Sequence, residues 1–178
     1  MAASVSRRSR SRVSARAAFL TAWLLCAVLD ISAAFIQAWM QAGRLPAAVL
    51  KGIASALWGR AAVTGGAEMA AIGLAMHVTV AFSFTLVFHL LSRRFLSLRT
   101  APLLVVGPFY GVFAFSVMNF GTLPFLSWVR SLYLGTPAVW PGTMGWPLLG
   151  VHMVCVGLPI AWGIRRHRLS PFVTGRLL

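Results

Sequence analysis

Asp30 lies inside a largely apolar run of 24 residues, Ala17 to Met40, in a chain of 178 residues with only one other acidic side chain, Glu68. A carboxylate at the centre of a hydrocarbon layer costs about 3 kcal/mol on insertion scales, so it must face protein or water, be paired, or carry a proton. Three further polar side chains occupy apolar runs elsewhere: His77, His152 and Asn119. A carboxylate beside an imidazole is a pair whose proton can move, the element from which proton relays and proton-coupled transporters are built. Two histidines on different helices also form a potential axial set for haem, or with Asp30 a set for a divalent metal. The plainest reading is architectural: acid and imidazoles neutralise one another and hold the helices in one register.

These residues share a depth. Asp30 follows Arg16 by fourteen residues, His77 precedes Arg93 by sixteen, and His152 precedes Arg165 by thirteen. At about 1.5 Å per helical residue, each lies roughly 20 to 24 Å from its basic flank. That is one thin layer in the outer half of a bilayer whose hydrocarbon is about 30 Å thick. Asn119, twenty residues beyond Arg99, comes out higher.

Four apolar runs are long enough to carry such a layer, at about 17–40, 69–91, 101–126 and 146–164. None alternates as a barrel strand does, and backbone groups cannot stay unpaired in lipid, so all four are predicted to be α-helices. The expected fold is an all-α, polytopic bundle of four transmembrane helices. Residues 1–16 and 165–178 form basic tails at its two ends. Composition agrees: 59% of residues are hydrophobic and 10% charged, with a mean hydropathy of +0.83, against about 25% charged in soluble domains.

The net charge of +14 comes almost wholly from Arg, Lys51 being the one lysine. The basic residues flank the spans, as topology and anionic lipid headgroups require, so lipid rather than nucleic acid is the expected partner. Twelve fall on the side that holds both termini and four (Arg44, Lys51, Arg60, Arg130) on the other. The positive-inside rule then places both termini in the cytoplasm, and the skew to Arg and Ala points to a bacterial inner membrane. Trp39, Trp58, Trp128, Trp140 and Trp146 gather toward the opposite face as an aromatic belt. The first run also has the outline of a signal peptide, but it is too long and Asp30 interrupts it ahead of Ala33-Ala34, so it is expected to remain as a span.

The first outer loop, 41–67, contains its own helix. Pro46 suits a first helical turn, Val49, Leu50, Ile53, Leu57 and Trp58 recur at helical spacing, and Gly65-Gly66 ends the segment. It is too short to span and is expected to be a connector along the interface; the rival reading is a lid over an outward-facing cavity. Gly107 and Gly111 permit close helix approach, and Pro108 and Pro159 can each bend a helix. Cys26 and Cys155 are read as packing residues.

No GxSxG, HExxH, phosphate-binding glycine loop or second intramembrane carboxylate occurs, so no enzyme activity, metal or cofactor is expected. Three stretches, Leu29-Asp30-Ile31, Val49 to Ser55 with Gly65-Gly66, and Gly73 to His77, resemble a group of small bacterial four-span inner-membrane proteins whose activity is not established. So do Tyr110-Gly111, Val117 to Asn119, and His152 with Gly157 to Ala161. The resemblance implies the same architecture and adds no mechanism. The functional expectation is a membrane protein whose Asp30/His77/His152/Asn119 layer is structural. The first alternative is a proton-linked carrier or channel for a small solute or ion, oligomeric because four short helices enclose little volume. The second is an electron-transfer subunit holding haem or metal.

Overall fold

The computed structural model describes residues 14–136 and 146–166, all of its regular elements helical. The basic tails beyond these limits, Trp140 and the side chain of Trp146 lie outside the described residues. Four helices are long and apolar enough to cross a membrane, Ala15–Ala42, Ala67–Arg94, Leu103–Leu134 and Pro147–Arg165, which makes this a multi-pass membrane protein. Against the expected spans, the first two are longer by two or three residues at each end, the third begins two residues later and ends eight later, and the fourth is shifted by one residue.

Helix α1 (Ala15–Ala42) begins where the Ser14 hydroxyl accepts the Ala17 N–H at 3.1 Å. It ends at Gly43, which takes the left-handed φ of 61° that a side chain would resist. Helix α2 (Pro46–Trp58) starts on the proline and breaks at Gly59, φ 57°, before the short α3 (Arg60–Thr64). Helix α4 (Ala67–Arg94) carries Glu68 in its first turn, where the carboxylate accepts the Gly66 N–H at 2.7 Å and meets the positive end of the helix dipole. A four-residue helix α5 (Ser97–Thr100) leads into the third span.

That span and the fourth are each interrupted by a wide turn. Helix α6 (Leu103–Ser116) passes into a π-helical segment, Val117–Thr122, before α7 (Leu123–Leu134). The short α8 (Trp146–Val151) passes into a second, His152–Gly157, before α9 (Leu158–Arg165). Both π segments end immediately before Leu-Pro. The N–H of Leu123 reaches back five residues to the Met118 carbonyl, and that of Leu158 reaches Met153. Pro124 and Pro159 have no N–H for the carbonyls of Phe120 and Cys155, and their rings crowd those oxygens; widening the turn relieves the clash. Pro159 therefore reshapes its helix as expected, whereas Pro108 is held within regular α6.

Neighbouring spans run antiparallel. Phe19 meets His89 and Phe82, Trp23 donates its indole N–H to the Val78 carbonyl at 3.0 Å, and His77 lies against Ala27 and Asp30, which fixes α1 on α4. Gly163 of α9 rests on Ala22 of α1. Gly111 of α6 faces the backbone at His152 and Met153, and Gly157 the backbone at Gly107 and Gly111, so closely that a Cβ at Gly111 or Gly157 would strike main chain, while one at Gly107 would strike the Leu158 side chain. The Tyr110 hydroxyl reaches across to the Phe84 carbonyl at 2.6 Å.

Packing divides the bundle in two. Toward the end that bears Arg16, Arg93, Arg94, Arg99, Arg165 and Arg166, the interior is filled by Phe88, Tyr110, Ala114, Ile160 and Ile164. Toward the other end the spans separate, and α2 packs against α4, α7 and α1. The outer surface is apolar along the spans, with Leu104 77% and Phe109 74% exposed, as lipid-facing positions should be.

Candidate functional site

The space beneath α2 is a cavity of about 420 Å³, within the roughly 300 to 1,000 Å³ range of small-molecule sites. Asp30, His77, Asn119 and His152 all line it. Apart from Arg44 and the Cys26 thiol, every other lining side chain is a hydrocarbon, an aromatic ring or a methionine. The polar layer expected from residue counting thus exists, and it borders a void rather than a filled seam.

Each polar residue is placed by its element. Asp30 turns inward from α1, and Ala34 and Ala38 continue the same face toward Arg44, which the Gly43 turn sets at the α2 end. His77 of α4 places Nδ1 3.9 Å from Asp30 Oδ2, with side-chain exposures of 10% and 23%. This contact is electrostatic, and a direct proton transfer needs the carboxyl to swing about 1 Å closer. The other ring nitrogen, Nε2, lies 2.9 Å from the Ala27 carbonyl. A carbonyl oxygen only accepts, so Nε2 carries a hydrogen and Nδ1 is the nitrogen that faces the carboxyl.

Asn119 and His152 both sit on π segments. The Asn119 amide Nδ2 donates to the Phe115 carbonyl at 2.8 Å, and His152 Nδ1 donates to the Leu148 carbonyl at 2.9 Å. Phe115 also meets the His152 ring edge-on at 5.4 Å, joining the third and fourth spans at this level. Asn119 lines the cavity from within its wide turn, although straight-helix counting put it higher.

Helix α2 is more than a surface connector. Its Ala48, Gly52 and Ala56, at every fourth position, line the cavity together with Val49 and Ile53. Gly73 of α4 admits the Leu50 backbone so closely that a Cβ there would strike the Leu50 carbonyl. Arg130 of α7 donates Nη1 to the Ser55 carbonyl at 3.0 Å and Nη2 to Ser127 Oγ at 3.3 Å, and the Tyr133 hydroxyl donates to the Leu57 carbonyl. The helix is a docked roof, closer to the lid expectation than to the connector. The small-residue stripe at 48, 52 and 56 is the signal for this second apolar face, and Arg44 is the lining residue that reading the spans alone does not reach.

Among the described residues, no three His, Cys, Asp or Glu side chains come together as a group able to hold a metal ion. Cys26 is buried and Cys155 half-buried, and both are free thiols.

Comparison with protein-family models, with curated proteins and with solved structures finds no match for this chain.

Proposed function

We propose that the protein is a proton-linked carrier or channel for a small solute in a bacterial inner membrane, with both termini cytoplasmic. The observation that carries this reading is that the His77–Asp30 pair opens on a cavity of about 420 Å³ instead of being sealed in packed side chains. A purely structural pair needs no cavity beside it, because protein interiors otherwise close-pack around such pairs. With Nε2 committed to Ala27, a proton carried by the pair would reside on Nδ1 or on the carboxyl, and its release would leave the cavity one charge more negative. The arginines at the α1 N-terminal end support the cytoplasmic placement and give that end an affinity for anionic headgroups.

Purified protein in liposomes loaded with a pH-sensitive dye tests the reading. A panel of small amines, alcohols and carboxylates is added outside, and the internal pH change is compared with that of protein-free vesicles. Acceleration by at least one panel member, abolished in Asp30→Asn protein that folds normally, supports carriage. Equal rates with and without protein for the whole panel overturn it. An Asp30→Asn variant that never folds points back to a packing role.

A further inference from the structure

The hydrogen bonds of the cavity wall specify what chemistry can occupy it. Three of the four polar side chains of the layer commit a donor to a backbone carbonyl: His77 Nε2 to Ala27, one Asn119 Nδ2 hydrogen to Phe115, and His152 Nδ1 to Leu148. A carbonyl has no hydrogen to give, so each of these assignments follows from the acceptor and not from a choice of tautomer or amide flip. What remains for the cavity is the His152 Nε2 lone pair, the Asn119 Oδ1 oxygen with one amide hydrogen, and the Asp30 carboxyl. Among the described residues, no group hydrogen-bonds to His152 Nε2 or Asn119 Oδ1. Apart from the second Asn119 amide hydrogen and the weak Cys26 S–H donor, the deep part of the cavity offers acceptors, with the Asp30 carboxyl the strongest of them.

Its charge has the same sign. Asp30 is the one carboxylate that lines the cavity. From α1 the Cys26 thiol also faces the site, from α4 His77, and from the fourth span His152, with the Cys155 thiol close enough to feel Asp30. Among the described residues, Arg44 is the only arginine or lysine on the wall, and it stands in the exposed turn at the α2 end, separated from Asp30 by Ala34 and Ala38. Phe84, Met76 and Met118 complete the walls with polarisable surface that suits a cation carried on an apolar body.

We infer that the cavity binds a small lipophilic ammonium ion, a primary amine in its protonated form, in exchange for the proton of the His77–Asp30 pair. The exchange balances: before binding the pair holds one proton and is neutral overall; the ammonium enters with one positive charge, the pair releases H⁺, and the filled site is again neutral. No bond other than that to the transferred proton is made or broken. The ammonium hydrogens meet Asp30, Asn119 Oδ1 and His152 Nε2, while its hydrocarbon lies along the apolar wall. This inference rests on the proposed carrier reading for its purpose but not for its test, which measures binding alone.

Isothermal titration calorimetry of the full-length protein in a neutral detergent, with four probes of one shape, separates the possibilities. Benzylammonium brings charge and donors, benzyltrimethylammonium charge without donors, benzyl alcohol a donor without charge, and benzoate acceptors with negative charge. We expect benzylammonium to bind at least tenfold more tightly than benzyl alcohol, benzyltrimethylammonium to fall between them, and benzoate to give no measurable heat. In folded Asp30→Asn protein the preference for benzylammonium should drop at least tenfold. In wild-type protein, which needs no variant to fold, its affinity should rise with pH by up to tenfold per unit. At the acidic end of the series about one proton should appear per amine bound, measured in two buffers of different ionisation enthalpy. Benzoate binding as tightly as benzylammonium, an affinity flat across pH 5 to 8, or binding without proton release at low pH would each overturn the inference. Binding in this pattern without flux in liposomes would leave the site and remove only the carrier; flux of carboxylates without amine binding would do the reverse.

Discussion

Asp30 and His77 form the only ion pair among the described residues, and their surroundings separate the two roles such a pair can have. If the pair exists to hold α1 on α4, removing the charge should unfold the protein. If it exists to handle a proton, the carboxylate is a burden to the fold. We expect Asp30→Asn to leave thermal stability unchanged or to raise it by about 1 kcal/mol, because a neutral amide is cheaper to keep away from water than a carboxylate, while the internal pH response in liposomes is lost. A circular-dichroism melt paired with the flux assay reads both. His77→Ala acts in the opposite sense. It removes the Nε2 hydrogen bond to the Ala27 carbonyl and leaves a hole beside Gly73 and Ala81, so a loss of about 2 kcal/mol is expected in the same melt.

At the scale of elements, the two π segments and the roof helix distinguish this bundle from four straight rods. Each wide turn precedes Leu-Pro, and each carries one polar residue of the cavity wall, Asn119 or His152. Pro159→Ala restores an N–H to the Cys155 carbonyl and removes the ring that crowds it. We expect a melting temperature equal to or above wild type, together with a weaker binding site, because closing the wide turn rotates His152 off the wall. The combined melt and benzylammonium titration checks this. The roof depends on Gly73 and Arg130. Arg130→Ala loses charge-assisted bonds to Ser55 and Ser127, worth about 2 kcal/mol for α2, and amide hydrogen exchange in 46–58 should quicken by at least tenfold while α4 stays protected.

At the scale of the whole molecule, one half is packed and the other is hollow. Phe88 and Ile160 are fully buried toward the arginine-rich end, whereas the Asp30 level borders a void roofed by α2. A molecule built this way should tolerate filling the void better than it tolerates crowding the packed half. We therefore expect Ala34→Phe to fold and melt like the wild type yet bind no benzylammonium. Gly157→Val, whose side chain would strike the backbone at Gly107 and Gly111, should cost at least about 2 kcal/mol or prevent folding. Size-exclusion profiles and melts of the two variants, set beside the titration, test the division directly.

Much of this was legible in the residues alone. The four spans, the helix opened by Pro46, and the shared depth of Asp30, His77 and His152 follow from run length, hydropathy and a rise of about 1.5 Å per residue, all local properties of a helix in hydrocarbon. A lone carboxylate in a lipid-length run also had to turn inward, whatever its neighbours. Other features were not local. Asn119 lines the same cavity from within a π segment ahead of Pro124, which spacing rules that assume a uniform helix do not anticipate. Whether the polar layer was sealed or open depended on how far α4 and the third span part, and on α2 docking through Gly73, Arg130 and Tyr133, residues some 15 to 80 positions away from it in the chain. Sequence by itself determined which side chains must avoid lipid; only the tertiary structure decided that they meet around empty space, because a void is a property of the distances between helices and no single helix encodes it.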